Sequence, residues 1–252
     1  MLAYALLFTA ILLQLGAELL SWYVLLSAVC RSSGAVLENV RISGCNGSAV
    51  RITVDATGAY AAPAVLRNVH ITGNNGSRGA AVSLGPYASV VIESSTITGN
   101  EATDSVIYAE AGSALELINT TVSGNNGAGV AFEGSSITVL DSVLVNNTGT
   151  NGSAISIACP SVGGDIDGCN SQTRINNTRF EGNRATGVGG AVYMRDSTFA
   201  ALHNVTFVRN SAREGGALAA DRDACLFNMT LVTFENNRAN DRWGAALCKP
   251  TP

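Results

Sequence analysis

The stretch Phe180-Glu-Gly-Asn183, followed by Gly189-Gly190-Ala191-Val192, decides how this chain is read. It returns as Phe207-Val-Arg-Asn210 with Gly215-Gly216-Ala217-Leu218. It returns again as Phe234-Glu-Asn-Asn237 with Trp243-Gly244-Ala245-Ala246-Leu247. The three Asn positions lie 27 residues apart. A phrase repeated at a fixed period of this size marks a stack of like units, each burying its apolar face against the next.

Weaker copies extend the series towards the N-terminus: Ile71-Thr-Gly-Asn74, Ile97-Thr-Gly-Asn100, Val122-Ser-Gly-Asn125 and Leu144-Val-Asn-Asn147. A first copy, Ile42-Ser-Gly-Cys45, carries Cys in place of Asn. Most steps are close to 25 residues, but Asn147 to Asn183 spans 36, so an insertion containing Cys159 and Cys169 is expected there. Within a unit the apolar runs are short and β-rich, as in Leu115-Glu-Leu-Ile and Gly129-Val-Ala-Phe132, and Gly, Asn and Ser separate them. No helical stripe of apolar residues follows Arg31.

These features predict an all-β fold: a single right-handed parallel β-helix of about eight rungs, about 40 Å long at about 4.8 Å per rung. It occupies residues 35–252, its rungs end near Leu247, and a hydrophobic segment precedes it. The residues Ile42, Ile71, Ile97, Val122, Leu144, Phe180, Phe207 and Phe234 are expected to form one inward column. The Asn three residues later is expected at a turn with positive φ, its amide paired with the rungs on either side. The Gly pairs 189–190 and 215–216 are read as tight backbone where the next strand begins. The terminal rung needs a cap from further chain or a partner.

Residues 1–30 are of a different kind: almost wholly apolar, interrupted by Glu18, with Arg31 the first basic residue. This reads as a secretory signal peptide, with a membrane anchor as the alternative. Either places the repeats outside the cytoplasm, and the membrane is met only through this segment. Six cysteines agree with export, and Cys159 with Cys169, and Cys225 with Cys248, are the disulfide candidates. Among eight Asn-x-Ser/Thr sequons, Asn119, Asn151, Asn176, Asn204 and Asn228 are taken as glycosylation candidates. A net charge of −4 and a charged fraction of 13% argue against a nucleic-acid surface.

The paired F-x-x-N and G-G-A-apolar phrases, clearest at Phe180–Asn183 with Gly189–Val192 and at Phe207–Asn210 with Gly215–Leu218, resemble the repeats of chlamydial polymorphic outer membrane proteins. Similar repeats occur in other secreted right-handed β-helix proteins. The resemblance covers the last third of the chain well and about half of it weakly. It implies a surface scaffold, and it assigns no site residue.

Many parallel β-helices cleave polysaccharides, and glycoside hydrolysis needs two carboxyl groups facing one cleft. The N-T-D, D-D, G-H-G and R-I-K motifs of polygalacturonase-like enzymes do not occur. His70 and His203 are read as outward surface residues. Asp165 with Asp167, and Asp221 with Asp223, are read as surface charge that falls short of a calcium-loop pattern. No catalytic residue, metal ligand or cofactor is therefore predicted. The function expected is a non-catalytic extracellular or cell-surface scaffold, adhesin-like, in contact with a polysaccharide or a cell-surface protein. A pectate lyase-like enzyme is the alternative.

Overall fold

The computed structural model describes residues 28–30, 34–54, 62–133, 136–158, 172–195, 199–221, 226–241, 244 and 246–249. Every strand pairing among them is parallel, and strands pair from one repeat to the next, which makes a β-helix with three faces. The first face stacks Val36–Glu38, Ala64–Arg67, Ser89–Glu93, Ala114–Ile118 and Ser136–Leu140. It continues through the first halves of Gln172–Glu181, Phe199–Val208 and Leu226–Glu235. The second face runs from Arg41–Ser43 to the second halves of the same long strands. The third face includes Asn75–Leu84, Glu101–Ala109 and Asn126–Glu133. Ala28–Cys30 pairs with Val50–Ile52, so the third face already begins within the apolar N-terminal segment.

Alternation along each strand explains which residues are inside. In Ala114–Ile118, Leu115 and Leu117 are fully buried while Glu116 points to solvent. The predicted column is present: Ile42, Ile71, Ile97, Val122, Leu144, Phe180 and Phe207 are buried in register on the second face. The rings of Phe180 and Phe207 stack at 4.9 Å, and those of Phe207 and Phe234 at 5.0 Å, both pairs nearly parallel. That separation matches the rung spacing, so the fold itself imposes face-to-face offset stacking.

The Asn ladder corrects the sequence expectation in one respect. The Asn residues do not carry the positive φ. The residue before each does: Gly73, Gly99, Gly124, Asn146, Gly182, Arg209 and Asn236, at 52° to 64°. This turns the Asn side chain inward, and Asn74, Asn100, Asn125, Asn147, Asn183 and Asn210 are 0–1% exposed. The bonding is directional. Asn125 Oδ1 accepts from the backbone N–H of Asn100 (2.9 Å) and from its Nδ2 (3.1 Å). Asn125 Nδ2 donates to the Ile97 carbonyl (3.1 Å) and to Asn147 Oδ1 (2.9 Å). The pattern repeats as far as Asn237. Each buried amide satisfies backbone groups that the turn would otherwise leave unpaired.

A second ladder, not foreseen from the sequence, lies where the first face bends into the second. Asn39, Asn68, Ser94, Asn119, Asp141, Asn177, Asn204 and Leu231 all take φ of 48° to 57°. Asn and Asp tolerate this region, and their exposed side chains pair along the axis. Asn68 Nδ2 donates to Asn39 Oδ1 (2.6 Å), Asn177 Nδ2 to Asp141 Oδ1 (2.9 Å) and Asn204 Nδ2 to Asn177 Oδ1 (2.9 Å). Leu231 breaks the series and is 69% exposed. One residue further on, Ser95, Thr120, Ser142 and Thr178 form a buried hydroxyl column that bonds backbone carbonyls.

The Gly pairs have separate tasks. Gly189 and Gly215 take φ of 63° and 58°. Gly190 lies against the next rung so closely that a Cβ would sit 1.9 Å from the Gly216 carbonyl oxygen.

Candidate functional site

Outward residues of one rung lie about 6.7 Å apart along the strand and about 4.8 Å from their counterparts in the next rung. On the first face, register places Arg174, Ala201 and Asn228 in one axial column, and Asn176, His203 and Thr230 in another. Gln172 and Phe199 stand in a third. Ala201 is thus a short side chain ringed by longer ones, and a depression of about 520 Å³ opens over it. Phe199 and His203 wall it along the strand, and Arg174 and Asn228 wall it along the axis. Phe199 is 44% exposed, an aromatic surface turned to solvent. Asn176 Oδ1 is shut off from solvent without a hydrogen-bond partner among the described residues, an under-satisfied acceptor at the edge of the depression.

Among the described residues, the depression carries an unpaired positive charge, whereas several arginines elsewhere are neutralised by carboxylates. Arg67 stands between Glu38 and Glu93, Arg78 faces Asp104, and Glu181 is shared by Arg179 and Arg209. Arg174 has no carboxylate partner among the described residues, and no described lining residue is acidic.

A second cluster sits on the third face. Arg78 donates to the Tyr108 hydroxyl (3.1 Å) and lies over its ring at 5.0 Å, while that hydroxyl donates to Glu133 Oε2 (3.0 Å). Burial, then the hydrogen bond to Glu133, pushes the Tyr108 phenol up to about 12. Asp104 is therefore paired with the Arg78 guanidinium, and Glu133 with a neutral phenol. This arrangement stores its charges in pairs, and a phenol held neutral is a poor base at ordinary pH.

His70 and His203 are exposed as expected, and His203 belongs to the depression, which its neighbours in sequence did not indicate. Among the sequon residues, Asn119, Asn204 and Asn228 are exposed, and Asn176 is half-buried. Asn151 is also half-buried and accepts from the Val188 N–H (3.0 Å). Phe180, Asn183, Phe207 and Asn210 are core, and Phe234 and Asn237 are half-buried at the last described rung. Cys159, Cys169 and Cys225, with Asp165, Asp167 and Asp223, lie outside the described residues. Cys248 occupies a third-face strand beside Ala220. Among the described residues no group of His, Cys, Asp and Glu could hold a metal ion, and no helix is long and apolar enough to cross a membrane.

Residues 27–239 match a family described as the right-handed β-helix region. The chain belongs to that family. The match spans nearly all the described rungs and agrees with the parallel stacking seen throughout this β-helix protein. No curated protein and no solved structure matches the chain. For this β-helix the family establishes the architecture and leaves the activity to be argued from its surface.

Proposed function

We propose that this β-helix is a non-catalytic extracellular or cell-surface scaffold, adhesin-like in role, that contacts a glycan along its first face. The observation that carries the reading is the depression over Ala201, which combines an exposed aromatic ring with amide, hydroxyl, guanidinium and imidazole groups. Aromatic faces and convergent hydrogen-bonding groups suit a pyranose, which has an apolar face and a rim of hydroxyls. Hydrolysis would need a carboxyl pair at a defined separation, and the described lining offers none. Neighbouring rungs add further contacts, each worth about 0.5–1.5 kcal/mol, so affinity builds by repetition.

The test is an immobilised-glycan array probed with the purified chain and with Ala201→Leu, which fills the depression from outside the core. Binding lost in the variant, with no cleavage products from the bound glycans, is the expected result. Binding unchanged by Ala201→Leu would remove the depression from the function. The Arg78–Tyr108–Glu133 cluster supports a second, enzymatic reading, because it places one carboxylate on the arginine and another on the tyrosine that the arginine touches. Turnover of any array glycan that disappears in Glu133→Gln would favour that reading.

A further inference from the structure

We infer that the depression over Ala201 selects an anionic saccharide unit, a uronate or a sulfated sugar, and holds its negative group at Arg174. The inference rests on the glycan-contacting reading and adds the charge of the ligand. Three observations carry it. Arg174 has no carboxylate partner among the described residues, a state it shares with Arg41, Arg51, Arg184 and Arg238, but of these it is the one that lines the depression. Its five N–H donors therefore remain for a planar carboxylate or a sulfate. His203 stands one rung away and adds a second donor without any acidic neighbour in the lining.

The third observation is the layout. Arg174 and Asn228 flank Ala201 along the axis, about 10 Å apart, and Phe199 and His203 flank it along the strand, about 13 Å apart. One sugar ring fits this frame over the Ala201 methyl, with Phe199 beside its apolar face. Its anionic substituent then points down the axis to Arg174, and Asn228 meets a hydroxyl at the opposite side. A neutral sugar would leave the guanidinium facing solvent and forgo the charge-assisted bond, which is the stronger kind.

The experiment compares oligosaccharides of several backbones, each in matched neutral, uronate and sulfated forms, by titration at low and at high salt. The wild-type chain should bind the anionic members about tenfold more tightly than the neutral ones, a difference that salt diminishes. The uronate and sulfate arms identify which anion the site takes. Arg174→Gln should abolish the preference, so that anionic and neutral members of each pair bind alike, and Ala201→Leu should abolish binding of both. Both variants change outward side chains, and thermal unfolding checks that they fold. If neutral and anionic forms bind equally, or Arg174→Gln leaves the ratio intact, the anionic inference fails while the glycan reading stands. If no member binds, both fail.

Discussion

The two halves of the solenoid fill the same cylinder differently. From Ile42 to Leu144 the second-face column is aliphatic, and from Phe180 onward it is a stack of aromatic rings. The third face changes at almost the same place. Asn75–Leu84, Glu101–Ala109 and Asn126–Glu133 are single long strands. Beyond them each third-face segment splits into a two-residue and a four-residue strand, as in Arg184–Ala185 and Val192–Arg195, with Gly189 and Gly190 between. A larger inner residue and a glycine-tight corner occur together. Bulk added on one wall is matched by backbone drawn in at another, so the interior stays filled. The Asn ladder crosses this boundary unchanged, so it does not depend on which kind of column it adjoins.

The strongest way to break the contrast is Phe207→Ala. It removes the central ring of the three and should lower stability by about 3–5 kcal/mol. Val122→Ala, its aliphatic counterpart, should cost distinctly less, and denaturant titration of both variants checks the order. Next comes the feature common to both halves. Asn125→Ala leaves the backbone N–H and the amide of Asn100 without their shared acceptor, and about 2–4 kcal/mol should be lost. Asn183→Ala should lose a similar amount in the aromatic half, and unequal losses would mean that the ladder depends on its packing.

A smaller effect of opposite sign is expected from Leu231→Asn. Leucine is strained at a φ of 55°, and the exposed ladder beside it ends at Asn204. The change should raise stability by about 1 kcal/mol, seen as a higher melting temperature. The smallest effect concerns Glu181. The hydrogen bond from Arg179, then the charges of Arg179 and Arg209, hold its carboxyl below the usual range. A depressed folded-state value means that this contribution is present above the ordinary carboxylate range and disappears as pH falls through the folded value. Between pH 5 and about 3, Glu181→Gln should therefore flatten the loss of stability slightly relative to wild type, measured as the difference in unfolding midpoints.

How much of this was readable beforehand follows from what stacking conserves. Phe180, Phe207 and Phe234 sit at one period and share one environment, so the inner column and the parallel fold could be read from spacing alone. The corner ladder was equally periodic: Asn39, Asn68, Asn119, Asn177 and Asn204 each precede the internal ladder by six residues. It was obscured because Ser94, Asp141 and Leu231 interrupt the identity, although backbone conformation persists through all three. Asn119 and Asn204 also carried a competing interpretation as sequons. The depression was not legible at all. Arg174, Ala201 and Asn228 are unrelated residue types 27 apart, and only exact register shows that a small side chain stands among large ones. Repetition announces a scaffold, whereas a binding surface consists of departures from repetition.

The directionality of the internal ladder has a consequence for how such a chain can change in length. From Asn74 to Asn210 each Asn offers its oxygen to the preceding rung and one amide hydrogen to the following one, so each of these joints is the same plug meeting the same socket. Deleting a whole repeat, from one Asn to the next, rejoins a plug to a socket and leaves the cylinder shorter but continuous. Deleting part of a repeat sets the next amide against the wrong carbonyl, and a loss of an odd number of residues within a strand also reverses which side chains face inward. The molecule can therefore grow or shrink only in whole turns. Insertions of other sizes are confined to the corners, as the long step between Asn147 and Asn183 illustrates: the ladder bond between those two residues is intact at 3.1 Å despite the 36 residues that separate them.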